Sequence, residues 1–323
     1  MLPLGMLGVG TLVATLAAAI EERGEAEGAP RARPIALWVA DRDSQRICAL
    51  DSDLLVERSF ACPHPLAVRA RRDGGCWVLR GERELASRAQ RLERRNARGE
   101  TVLTVGVDAC AVLSETARDD ALLIEIRNVS HSDRAWRVQE DGTMIPILER
   151  EGLACLAASS DDVVLGTTDG SLVRVDARRP GEIGLERRPG GRIIDLAPGP
   201  YEGTSWALEE CQGIRLALLE QDLSVRWSVR VDLSAAHLAP IPGEERVWLC
   251  DALDPRARRF GPRGRLEIDA RGLPLLGIDR AVAWSDGGAV IAAPGALLHL
   301  DGAGHLRPGQ GGFEYLSDLD RPP

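Results

Sequence analysis

The chain repeats itself at a period that few folds can use. Short alternating apolar runs recur at Leu66-Ala67-Val68, Cys110-Ala111-Val112, Ala154-Cys155-Leu156, Ile194-Asp195-Leu196, Ala236-His237-Leu238, Arg280-Ala281-Val282 and Glu314-Tyr315-Leu316. The last residues of these runs lie 44, 44, 40, 42, 44 and 34 positions apart. A second apolar run follows each, holding Trp77, Leu123, Val164, Trp206, Trp248 and Val290 at steps of 46, 41, 42, 42 and 42, with Trp38 standing 39 residues before Trp77. Between the two runs come Asp73-Gly74-Gly75, Asp119-Asp120, Asp161-Asp162, Glu202-Gly203, Gly243-Glu244 and Asp286-Gly287-Gly288, which are residues suited to tight turns. Third and fourth runs follow after further turns, as in 170–175 and 184–187. Each unit therefore reads as four short antiparallel strands. Alternation of this kind, with 34 glycines and 19 prolines, excludes the helical repeats of similar length and fits the blade of a β-propeller. Only residues 82–98 carry helical spacing, through Leu85, Ala89 and Leu92, and they read as an irregular third strand.

The two ends of the repeat determine how it closes. The first unit opens at its second strand, at Trp38, and lacks a first; the last unit is followed by a spare strand-like segment, 313–317. An open ring would expose two unpaired sheet edges. The sequence thus predicts an all-β, seven-bladed β-propeller over residues 35–320, with the carboxyl-terminal segment as the innermost strand of the first blade beside Trp38. A six-bladed ring is the alternative count.

Residues 37–51, Leu-Trp-Val-Ala-Asp through Arg46-Ile47 to Leu50-Asp51, resemble the NHL-repeat pattern of an apolar-Val-Ala-Asp strand, a polar turn and an Arg-Ile strand. His64-Pro65-Leu66-Ala67-Val68, then Asp73-Gly74 and Trp77-Val78-Leu79, open the next unit in the same style. The resemblance is confined to about the first 45 residues of the repeat region, 35–80. It implies a propeller of a group made up mostly of binding or scaffold modules, with a minority of lactonases and lyases. The oxygen-rich calcium site of the lactonases needs two asparagines at the channel, whereas this chain holds only Asn96 and Asn128, neither on an innermost strand.

Composition narrows the functions further. Forty basic residues against 49 acidic give a net charge of −9, which removes the electrostatic drive for binding nucleic acid. Every basic residue other than the five histidines is arginine, so Schiff-base, lysine-base and Walker-type chemistry are excluded. Seven scattered cysteines with no Cys-x-x-Cys pair fit neither a complete disulfide framework nor a zinc knuckle, and they read as small core residues. Residues 2–20 are uncharged and apolar, and 21–34 form an acidic linker. That pattern predicts an exported protein or one tethered to a membrane through 2–20. A start placed too far upstream is the alternative and implies a cytoplasmic protein.

Innermost strands line the axial channel of a propeller. By period 2, the residues preceding each aligned Val or Leu share one orientation, and three of them are polar: Asp195, His237 and Tyr315. These are the candidate channel ligand-binding residues, with satisfaction by neighbouring strands as the competing role. His299, Asp301 and His305 read as a solvated hairpin rather than a metal site, the arginine-dense segments 91–98 and 256–265 as surface, and the tryptophan series as packing between blades. No Gly-x-Ser-x-Gly elbow is present. The expected function is non-catalytic recognition of a protein, peptide or glycan by loops on one face, with no cofactor and no metal. The alternative is a hydrolase or lyase acting at the channel mouth.

Overall fold

The computed structural model describes residues 34–323 apart from 82–88, 117–118, 127–131, 160, 189, 234–235, 252, 274–279, 285, 294, 308–310, 314–315 and 322–323. These residues form seven four-stranded antiparallel sheets. In six of them the strands are consecutive in the chain; in the first blade the order is Leu316–Asp320, Leu37–Asp41, Arg46–Leu50 and Val56–Ala61. The ring therefore has seven blades rather than six, and its tail supplies the innermost strand of blade 1. Residues 1–33, with the expected leader and most of the linker, lie outside the described residues, among which no helix is long and apolar enough to cross a membrane.

Closure occurs in a different register from the sequence expectation. Trp38 pairs with Asp320, Val39 with Leu319 and Ala40 with Asp318, so the closing strand is Leu316–Asp320 and not 313–317. Trp206 and Trp248, at equivalent second-strand positions, face Ala197 and Ala239. Leu319, not Leu316, is thus the counterpart of Leu196 and Leu238. In blade 7 the counterpart is Ala281, because Val282 faces Val290. This misregister accounts for part of the short final step, which is 38 residues rather than 34 when counted from Ala281 to Leu319. In blade 2, Ala89–Arg95 is the third strand, as expected of the 82–98 segment.

Seven apolar clusters, each shared by two neighbouring blades, hold the described ring together. Trp38 packs with Val68 and Cys76 between blades 1 and 2, and Trp77 with Leu113 and Leu123 between blades 2 and 3. The closing seam joins Leu316, Leu319 and Val39 of blade 1 to Val290, Leu297 and Trp284 of blade 7. Trp38, Trp77, Trp206 and Trp248 are fully buried, and each large buried side chain contributes about 1.5–3 kcal/mol of burial free energy.

Polar staples reinforce the same seams. Trp77 Nε1 donates to Asp119 O at 2.7 Å and Trp248 Nε1 to Gly287 O at 3.0 Å, each indole reaching the first turn of the next blade. Arginines on third strands do likewise. Arg174 binds Asp162 at 2.6 Å and Gly203 O at 2.5 Å, and Arg259 donates to Gly287 O and Gly302 O at 3.0 and 2.8 Å. A planar fork can satisfy a carboxylate and a carbonyl at once, which a lysine ammonium on a flexible stem does less well, and this accounts for one use of an arginine-only cationic set. The turns between first and second strands are pinned locally: Asp73 and Asp286 accept from the amides of Gly75 and Gly288, and Gly74 and Gly287 both adopt φ 80°.

Candidate functional site

The seven innermost strands surround an axial cavity of about 590 Å³. Each strand runs from the connection that leaves the preceding blade to its own first turn, so residue position along the strand sets depth in the channel. Asp195, His237 and Arg280 pair across their blades with Leu208, Cys250 and Ala292, which places them at one level on three consecutive blades. Two residues further on, about 7 Å at ~3.4 Å per residue, lie Arg69, Ala197, Ala239 and Asp320, facing Trp77, Trp206, Trp248 and Trp38. Arg72, Thr116, Pro242 and Arg321 complete the rim beyond them.

The structure brings Asp195 and His237 to the channel wall on adjacent blades. Tyr315 lies outside the described residues. The register of the closing strand puts Asp318, not Tyr315, opposite Ala40 at the level of Asp195 and His237.

Asp195 is committed to the backbone. Its Oδ1 accepts from the amide of Leu196 and its Oδ2 from the amide of Leu238 on the next blade, both at 2.9 Å. Asp320 does the same between blades 1 and 2, its Oδ2 accepting from the amide of Ala70 at 2.8 Å. An innermost strand has no further strand to pair with, so its inward amides need an acceptor from elsewhere. A carboxylate from the preceding blade supplies one at these two seams.

The thiols near the channel are poor nucleophiles. Burial, and then the charge of Asp195, push the Cys155 thiol up. Burial likewise raises Cys110 and Cys250 to about 12. All seven cysteines are free, and six are buried. No group of three or more His, Cys, Asp or Glu that could hold a metal ion is found among the described residues. The two outer histidines part company: His299 Nε2 lies 3.5 Å from Asp286 Oδ2, with its ring against Trp284, while His305 stands exposed 3.8 Å from Asp301.

Sequence reasoning missed the cations of the channel. Four arginines, Arg69, Arg72, Arg280 and Arg321, line the cavity of an otherwise acidic chain. Arg280 stood in the aligned triplet Arg280-Ala281-Val282, and a shift of one residue would have placed it in line with Asp195 and His237.

A second ordered constellation lies on the face that carries the first and third turns of the blades. Glu245 in the first turn of blade 6 accepts from Trp227 Nε1 at 2.7 Å and from the hydroxyl of Tyr201, in the first turn of blade 5, at 3.2 Å. It also accepts from the amide of Arg263 at 3.4 Å. The Arg226 guanidinium stacks 5.1 Å from the centre of the half-exposed Tyr201 ring.

No family model matches the chain, and no curated protein is similar to it. Among solved structures 1280 chains match. One of them, a protein of unknown function from Bacteroides caccae, is 12% identical with a TM-score of 0.48, covering 89% of this chain and 98% of that chain.

Proposed function

We propose that this chain is an NHL-like propeller that binds a protein, peptide or glycan through the loops of one face and carries out no chemistry of its own. The observation that carries the reading is the Glu245 constellation. Its carboxylate holds Tyr201, Trp227 and the third turn of blade 6 in one arrangement across two blades. Tyrosine, tryptophan and arginine dominate the energetic centres of recognition surfaces, and loops fixed before binding lose little entropy on it. The commitment of Asp195 to two backbone amides supports the same reading, because a carboxylate so engaged is a weak partner for His237 in acid–base catalysis. The NHL-like assignment rests on residues 35–80. Export, or tethering through residues 2–20, agrees with a binding role outside the cytoplasm.

The test is a peptide and glycan array probed with the wild-type protein and with Tyr201→Ala, beside a panel of lactones and esters. Array binding that is lost in Tyr201→Ala, with no turnover, is expected. Turnover that disappears in His237→Ala would overturn the proposal in favour of a hydrolase or lyase at the channel.

A further inference from the structure

A different part of the molecule, the rim of the axial channel at the first-turn end, has the make-up of a small-ligand site. Arg321 follows the closing strand of blade 1, and Arg72 sits in the first turn of blade 2; both line the cavity. The strands that carry them are joined directly, through Asp320 Oδ2 and the amide of Ala70 at 2.8 Å. The turn of Arg72 is fixed from the other side by Asp119 of blade 3, whose Oδ1 accepts from the Arg72 amide at 3.1 Å. Neither guanidinium has a carboxylate within ion-pair distance among the described residues, although most arginines of this chain do. Burial holds the Arg321 guanidinium below its ordinary range, and the charge of Asp320 only partly offsets this.

Next around the rim, on blades 3 and 4, the wall carries hydroxyls instead of charges. Ser114 and Ser159 line the cavity there, and neither hydroxyl is hydrogen-bonded among the described residues. Cations on one stretch of the rim and hydroxyls on the next, around about 590 Å³, fit a ligand with one anionic end and one polyol end. We infer that the first-turn mouth of the channel binds an anionic sugar, with Arg72 and Arg321 on its acidic group and Ser114 and Ser159 on its hydroxyls. The inference is independent of the loop constellation at Glu245, which lies on blades 5 and 6.

Isothermal titration calorimetry on the full chain tests it with glucuronate, glucose 6-phosphate, inorganic phosphate and glucose as probes. Binding is expected for glucuronate or glucose 6-phosphate and not for glucose. It should weaken with added salt and fall about tenfold or more in Arg72→Gln/Arg321→Gln. Glucuronate alone identifies a carboxylate sugar, and glucose 6-phosphate alone a sugar phosphate. Arg72→Gln by itself, at an exposed turn position, gives the same readout should the double variant fail to fold. Three results overturn the inference: no heat from either anionic sugar, affinity unchanged in Arg72→Gln, or inorganic phosphate binding as tightly as glucose 6-phosphate with no binding of glucuronate. Array binding through Tyr201 would be untouched by any of these.

Discussion

Replacing Asp195 with alanine separates a structural from a catalytic carboxylate. The substitution removes the acceptor for two backbone amides, Leu196 on its own strand and Leu238 on the next blade. A hydrogen bond to a charged group contributes about 1.5–3 kcal/mol, and an amide left unsatisfied by burial costs a similar amount. Asp195 is half-buried beside a cavity wide enough for water, so water takes over part of the lost contact and the lower end of that range applies. The expected loss is about 1.5–2 kcal/mol, which corresponds to a fall in Tm of roughly 3–8 °C at the ~2–4 °C per kcal/mol typical of domains slightly smaller than this one. Asp195→Asn keeps one acceptor oxygen and should lose about half as much. Glu210→Ala on the same blade, removing an exposed pair 3.7 Å from Arg192, should stay within about 0.5 kcal/mol of wild type. Urea and thermal unfolding of the three variants measure these differences. An Asp195→Ala protein that unfolds with the wild type, and at the same time loses an esterase or lactonase activity that the wild type has, would refute the clamp and assign the carboxylate to chemistry.

Three further outcomes follow from the packing and the buried charges. Leu316→Ala and Leu319→Ala, at the closing seam, should each cost about 2–5 kcal/mol in denaturant unfolding, whereas the half-exposed Leu306→Ala should cost little. Glu93 is buried with Arg95 beside the half-buried Arg80, and Arg95 Nη2 donates to it at 2.8 Å; Glu93→Gln should cost about 3–5 kcal/mol in the same assay, because it leaves two arginines without their carboxylate. Burial works to raise the pKa of Glu93, but the hydrogen bonds from Arg80 and Arg95 outweigh it and lower the value, so its stabilisation is present above the ordinary glutamate pKa and is lost as pH falls through the depressed one. A stability–pH curve of wild type against Glu93→Gln should converge only on the acidic side. Alkylation of the native protein at mildly basic pH, read by mass spectrometry, should modify Cys211 first, since the other six cysteines are buried and burial pushes thiols such as Cys62 up to about 11.

The blades were legible because their signals are local. Turn chemistry at Asp73-Gly74 or Asp286-Gly287 and side-chain alternation around the tryptophans each operate within one hairpin, and they survive any uncertainty about neighbours. The packing of the tryptophans between blades is visible in their spacing for the same reason, whereas the hydrogen bonds that Trp77 and Trp248 make to the next blade are not. What the sequence concealed was depth in the channel. The innermost strands of blades 2, 3, 4 and 5 each contain an irregular step, at Pro65/Ala67, Cys110/Val112, Leu153/Cys155 and Ile193/Asp195. An irregularity of this kind adds a residue to one strand only, and counting from an apolar pattern then drifts. The closing strand shows the consequence: aligning Leu316 in place of Leu319 slips the register by three, and an irregular step between Asp318 and Leu316 brings both leucines to the side of Val39, so the apolar pattern alone does not tell them apart. Tyr315 was selected by that slip, while Arg280 and Asp320 were passed over. Asp195 and His237 line the channel, but nothing in the sequence reveals that the Asp195 carboxylate is held by the amide of Leu238, a contact between residues 43 positions apart.

The closed seven-bladed ring, and with it the place of Asp320 and Arg321 at the channel, depends on the tail pairing with Leu37–Asp41. Hydrogen–deuterium exchange of the intact protein, followed in peptides spanning 316–321 and 37–41, tests this most directly. Backbone amides of Leu316–Asp320 should be protected to a degree comparable with those of Leu37–Asp41, and Leu319→Ala should weaken the protection of both segments together. Exchange of 316–321 at the rate of an unstructured peptide, with 37–41 still protected, would contradict closure by the carboxyl-terminal strand.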